Sequence, residues 1–174
     1  MSRSPNEPVQ IIKQRRDSAL HQLVQGIPYA RHLDVQFDRR GDELTARLPY
    51  AEKLIGNPNL PALHGGAVGA FLEIAAQIEL SWSIIWEVME GDGPGAAAIA
   101  AGQFPPMPKT IDCTVDYLRS GRPRDAYARA RVNRQGRRYA SVQVEAWQDN
   151  RDRPFVTAVG HFLMPENPGA LGDA

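Results

Sequence analysis

Apolar residues fill almost every position from residue 65 to about 88, with no proline and with Glu73, Gln77, Glu79 and Glu87 as the charged or amide exceptions. A helix apolar nearly all round is one buried on most sides, so this stretch is predicted to be a long central helix. Downstream, residues 110–118, 125–133, 139–147 and 155–163 alternate with period two. In the second run Ala126, Ala128, Ala130 and Val132 oppose Tyr127, Arg129, Arg131 and Asn133, and in the third Ala140, Val142, Val144 and Ala146 oppose Tyr139, Ser141, Gln143 and Glu145. One face small and apolar, the other polar, describes a sheet that wraps something and turns its back to water. Residues 33–38 and 44–48 alternate in the same way around the turn Arg40-Gly41-Asp42 and are predicted to be the first hairpin.

A first helix is predicted over residues 9–25, with Val9, Ile12, Ala19, Leu20, Leu23 and Val24 as its apolar contributors and Gly26 and Pro28 ending it. Residues 49–63, rich in Pro, Gly and Asn, read as a rigid polar loop into the long helix, and residues 91–108 as either a short helix near 96–101 or a mobile flap. The order is helix, two strands, long helix, four strands, with hairpin-length links. That order gives an α+β fold in which a curved, mainly antiparallel sheet wraps one central helix. We expect a single domain over 9–164, with residues 1–8 a frayed start and 165–174 a disordered tail.

Composition narrows the functional classes. The 174 residues suit one domain with a full core, and 20 Lys plus Arg balance 20 Asp plus Glu, so nothing favours nucleic acid as a partner. The single Cys113 forms no intrachain disulfide framework, charges at Lys13, Arg15, Arg16 and Asp17 interrupt any signal-peptide core, and no run is expected to reach the length of a membrane span. The expectation is a cytoplasmic protein with no membrane partner. No His or Cys cluster has metal-ligand spacing, and no phosphate-binding Gly-rich loop precedes a Lys, so no metal or separate cofactor is expected.

Candidate chemistry lies on the central helix. Gly65, Gly69, Glu73 and Gln77 fall four apart and trace one stripe. The first N–H groups of a helix lack internal partners and form an anion site, so Gly65 and Gly66 suggest an oxyanion hole and Glu73 a general base or nucleophile for acyl transfer. The flanking Phe71-Leu72 and Ile74-Ala75-Ala76 argue for burial of Glu73 against the bland alternative of a solvated helix glutamate. Eight steps of helix span roughly 12 Å, whereas a base must come within roughly 3 Å of its proton. One helix therefore cannot serve one carbonyl with both groups. Two copies packed antiparallel about a two-fold axis would bring Gly65 of one near Glu73 of the other, twice.

These residues resemble the PaaI-like acyl-CoA thioesterases of the hotdog fold, within the 4-hydroxybenzoyl-CoA thioesterase superfamily. The resemblance covers roughly residues 27–164. It rests on Asn57 or Asn59 before His64-Gly65-Gly66, on the acid nine positions after His64, on the strand Thr110 to Arg119, on the turn Asn133-Arg134-Gln135-Gly136-Arg137-Arg138, and on Ile27-Pro28-Tyr29-Ala30. Glutamate rather than aspartate at position 73 is similar to certain 4-hydroxybenzoyl-CoA thioesterases. The resemblance implies hydrolysis of an acyl-CoA thioester, with coenzyme A as part of the substrate rather than a cofactor, by a homodimer or dimer of dimers. It assigns Glu73, Gly65, Gly66, His64 and Asn57 to catalysis, and Asn59, Gln77, Thr110, Arg137 and Arg138 to the substrate. Arg119, Arg122 and Arg124 together with Arg134, Arg137 and Arg138 read as a basic cluster for the phosphates of coenzyme A, and Trp82, Trp86 and Tyr117 as acyl-pocket lining or core. The rival readings are a non-catalytic acyl-CoA-binding dimer and, further behind, a hydratase or dehydratase, which would need a catalytic histidine beyond His64.

Overall fold

The computed structural model describes residues 8–91 and 93–166. The expected frayed start, apart from Pro8, and the expected tail from residue 167 lie outside them. In chain order the elements are α1 (Val9–Gln25), α2 (Pro28–His32), β1 (Gln36–Arg40), β2 (Glu43–Leu48), a 3-10 turn (Glu52–Leu54), β3 (Ile55–Asn57), β4 (Ala62–Leu63), α3 (Gly65–Glu90), α4 (Pro94–Ala100), β5 (Lys109–Tyr117), β6 (Ala126–Gln135), β7 (Tyr139–Trp147) and β8 (Val156–Leu163).

Six strands form one sheet in the order β1-β2-β6-β7-β8-β5, every neighbouring pair antiparallel. The concave side holds α3, whose Phe71, Leu72, Ile78, Leu80 and Ile85 are fully enclosed. Against them stand Ala126, Ala128, Ala140, Val142, Val144, Ala146, Ala158 and Phe162, all at 2% exposure or less. Alanine on the inner strands is what lets the backbone of the sheet come close enough to wrap a helix that carries the large side chains. Among the described residues one helix, α3, would qualify by length and hydropathy as a membrane span, contrary to the expectation that no run approaches one. Its apolar character is accounted for by burial within the sheet.

Three local features depart from the sequence reading. Pro28 does not merely end α1: proline suits the first helical position, and it opens α2. Strand β1 starts at Gln36 rather than near residue 33, because Asp34 takes a left-handed φ of 58° that breaks the extended run. The loop before α3 contains a small hairpin, β3 with β4. The stretch after α3 resolves in favour of a helix, α4, which packs on α1 and α3.

Helix α1 closes the far end of α3. Arg16 Nε donates to Glu90 Oε1 at 2.9 Å and its guanidinium lies 3.9 Å from the Trp86 ring centroid, while Arg39 pairs with Asp17 at 2.8 Å. Trp86, stacked at a tilt on the buried Trp82, therefore belongs to this packing.

Strands β2 and β6 pair only over Ala46–Ala128, Arg47–Tyr127 and Leu48–Ala126, then splay. Arg129 bridges the gap by donating to Thr45 Oγ1 at 3.0 Å and pairing with Glu43 at 2.8 Å. Beneath it lies Glu79, whose carboxyl is pushed up to about 7 by burial. A buried acid with a raised pKa favours the folded state when protonated, so that contribution is full below about 4.5 and is lost as pH rises through about 7. We expect Glu79→Gln to be near neutral for stability at pH 5 and to stabilise the fold by about 2 kcal/mol at pH 8, allowing for the part of the carboxyl that remains in water. Urea unfolding at the two pH values measures this.

Candidate active site

Helix α3 and strand β5 run in opposite directions along the open end of the sheet, so the helix start meets the strand end. The stripe Gly65, Gly69, Glu73 and Gln77 is half-buried on this seam. Opposite Glu73 stands Thr110: its Oγ1 donates to Glu73 Oε1 at 2.5 Å and accepts from Gln77 Nε2 at 3.3 Å. Gln77 thus orients the carboxylate through the threonine rather than directly. Glu73 Oε2 has no hydrogen-bond partner among the described residues, which leaves one carboxylate oxygen fixed and the other available. Cys113, on the same inner side of β5, has its thiol pushed up by burial first and by Glu73 and Asp112 next, so it is a packed thiol rather than a nucleophile.

The helix start is built from the loop upward. His64 hangs its backbone N–H on Leu54 O at 2.8 Å, and its Nδ1 accepts from Gly66 N at 2.9 Å, making histidine the N-cap of α3. A side chain at position 56 would meet His64 at 2.8 Å, so Gly56 is what lets the histidine sit there. From β5, Tyr117 Oη donates to the carbonyl of Gly65 at 2.7 Å. The amide of Gly66 is therefore engaged within the chain, whereas that of Gly65 has no acceptor among the described residues. A cavity of about 420 Å³ opens beside Gly65, between Leu63, Val68, Tyr117 and Phe155. A larger cavity of about 680 Å³ between α1 and β1 touches none of the predicted site residues.

The remaining predicted residues lie as follows. Asn57 Oδ1 accepts from the backbone N–H of Asn59 at 3.0 Å and of Leu60 at 3.3 Å, so Asn57 shapes the turn between β3 and β4, and Asn59 is exposed within it. Within one chain neither asparagine hydrogen-bonds to Glu73, Thr110 or His64. The six arginines do not form the single cluster expected: Arg119, Arg122 and Arg124 follow β5 at one end of the sheet, while Arg134, Arg137 and Arg138 lie at the other end of β6, whose ten residues span roughly 33 Å. The first group is partly neutralised, with Arg124 and Arg122 both on Asp149. The second lies at the Thr110 end, because Tyr139, Leu163 and Lys109 stand in one cross-strand row; Arg137 is exposed and Arg138 is 3.9 Å from Glu166. Among the described residues no group of His, Cys, Asp and Glu is placed to hold a metal ion.

Tyr117 and Gly56 are the residues whose parts in the helix start the sequence did not disclose. The alternation that puts Cys113, Val115 and Tyr117 on one side of β5 was visible, but the register that sets Tyr117 over Gly65 was not. If Thr110 orients Glu73 for chemistry, Thr110→Val should keep the shape, remove both side-chain hydrogen bonds, and lower kcat about tenfold, read in a steady-state thioester assay.

A single long helix inside an antiparallel six-stranded sheet is the hotdog architecture of the thioesterase superfamily. Residues 57–163 match the family model described as acyl-CoA thioesterase N-terminal domain, and the chain belongs to that family. Acyl-CoA thioester hydrolysis in general is the activity this membership supports. The crystal structure of a protein from Chromobacterium violaceum is similar at 31% identity, covering 89% of this chain and 96% of that one with a TM-score of 0.60. The E. coli PaaI protein from the phenylacetic acid degradation operon shares the fold at 14% identity, 86% and 93% coverage and a TM-score of 0.63. A Bacillus halodurans protein whose crystal structure contains CoA shares it at 19% identity, 92% and 95% coverage and a TM-score of 0.58. Among curated proteins none matches the chain.

Proposed function

We propose that the protein hydrolyses an acyl-CoA thioester to the free acid and CoA as a two-fold dimer, with Glu73 of one subunit and the Gly65 amide of its partner serving one site. The observation that carries this reading is the arrangement around Glu73, in which Thr110 holds one carboxylate oxygen and leaves the other open on the stripe that begins at Gly65. The open oxygen takes a proton from water as the water attacks the thioester carbonyl. The Gly65 N–H at the positive end of α3 donates to the carbonyl oxygen as negative charge develops on it, and the proton held by Glu73 passes to the departing thiolate of CoA.

The outer edge of β5 supports the pairing of two chains. It is the last strand of the sheet, its backbone groups on that side face no other strand among the described residues, and Ile111 and Tyr117 on it are more than half exposed. Joining two such edges about a two-fold axis would satisfy both and bring the α3 stripes together. Arg137 and Arg138, at the Thr110 end of the sheet, are suited to the phosphates of CoA.

Thiol release from a panel of short, medium, long and aromatic acyl-CoA substrates tests the activity. Multiple turnovers on at least one member are expected. A protein that holds every acyl-CoA intact over hours at stoichiometric concentration would be the binding module instead, and the proposal would fall.

A further inference from the structure

Two hydrogen bonds at the start of α3 end on one peptide unit. Tyr117 Oη holds the carbonyl of Gly65 at 2.7 Å, and His64 Nδ1 holds the N–H of Gly66 at 2.9 Å. The carbonyl and the N–H belong to the same Gly65–Gly66 peptide, which is thus gripped at both ends by side chains from two different elements. The preceding unit is held too, because the His64 carbonyl accepts from Val68 N at 3.0 Å. The Gly65 N–H belongs to this second unit and adjoins the gripped one across the Gly65 Cα.

Two consecutive glycines have more backbone freedom than any other pair, and a helix start carries few internal hydrogen bonds to limit it. A donor for a developing oxyanion must nevertheless keep its aim, since catalysis by such a donor depends on its being oriented before the reaction. The spaces around the grip also fit this demand. A Cβ on Gly65 would stand 3.3 Å from Tyr117 Oη, one on Gly66 3.1 Å from His64 Nδ1, and one on Gly56 2.8 Å from the His64 backbone. The glycines admit the two side chains, and the two side chains restrain the glycines.

We propose that Tyr117 is a positioning residue for the oxyanion site, acting with His64 to clamp the Gly65–Gly66 peptide so that the Gly65 N–H stays aimed at the thioester oxygen. This rests on the thioesterase reading above. Tyr117 does not touch the reacting atoms; its hydroxyl acts through the peptide it holds.

Tyr117→Phe keeps the ring and removes the one hydrogen bond. Assayed on the preferred acyl-CoA, kcat falls about tenfold while KM stays within about twofold. His64→Ala also lowers kcat, His64→Asn, which caps through its own side-chain oxygen, recovers most of the loss, and the His64→Ala/Tyr117→Phe double variant loses less than the product of the single losses because both grips serve one peptide. Amide exchange at Gly66, followed by NMR without substrate, speeds up severalfold in Tyr117→Phe. A Tyr117→Phe enzyme with kcat within twofold of the parent, losses that multiply fully, or unchanged exchange at Gly66 would each overturn the clamp. Full turnover by Glu73→Gln would instead remove the parent reading, and the exchange measurement then judges the clamp by itself.

Discussion

Glu73→Gln should fold, dimerise and bind substrate like the parent protein, and lose about a thousandfold in kcat. The substitution is isosteric, and its amide oxygen still accepts from Thr110, so the seam between α3 and β5 is preserved. On the proposed mechanism, what disappears is the ability of the second carboxylate oxygen to take a proton from water. Positioned general bases contribute typically 10²–10⁴ to rate, which sets the expected scale. Because the loss falls on the chemical step, KM should change little. Thiol release measures the rate, and a thermal melt confirms that the variant is folded. Turnover at the parent level would strip Glu73 of its assigned role.

The second large effect separates a site shared by two chains from one contained in a single chain. Gly65 is the first helical residue of α3, the one helix position where proline is well tolerated, and the preceding His64 has the extended ψ of 128° that proline requires of its neighbour. Gly65→Pro therefore deletes the N–H and keeps the helix start, though its Cβ, 3.3 Å from Tyr117 Oη, makes the tyrosine give by a few tenths of an ångström; loss of an oxyanion donor of this kind costs about 10²–10³ in kcat. Now let Gly65→Pro and Glu73→Gln chains be unfolded together and refolded as a mixture. If each site takes its acid from one chain and its amide from the other, half of the dimers are mixed and one of their two sites is wholly unaltered, so about a quarter of the parent activity returns. If each chain builds its own site, nothing returns. That second outcome would refute the shared site even if both single variants behave as expected.

The elements with strong periodicity were legible in the sequence. Helix α1 and strand β7 begin and end where their apolar patterns do, and the inner face of β7 is buried throughout as the alternation required, whereas that of β6 is buried at Ala126 and Ala128 and only partly so at Ala130 and Val132. Short elements held by tertiary contacts were not. The proline that opens α2 carries the same local signal as one that ends α1, and β3 and β4 are too brief for any period to show. In the candidate site, the Glu73 stripe follows from helical spacing alone. Resemblance placed Thr110 beside the substrate but did not disclose its link to Glu73, which joins residues 37 apart, and the grip of Tyr117 on Gly65, across 52, depends on a register that composition does not encode. The misjudged arginines have a simple cause. Consecutive hairpin turns look adjacent on paper, yet strands of nine and ten residues carry them to opposite rims of the sheet.

The alanines that face α3 also set where this chain is able to vary. Ala126, Ala128, Ala140 and Ala146 have no exposed surface, so any larger residue there must push strand from helix, and overpacking of this kind costs about 1–3 kcal/mol each time. Descendants that accept a different acyl group would be recruited through replacements in the loose segments around the helix tip and the turns, while the barrel-like wall stays frozen. Among natural or selected variants with altered chain-length preference, changes should accordingly gather outside the four-alanine wall.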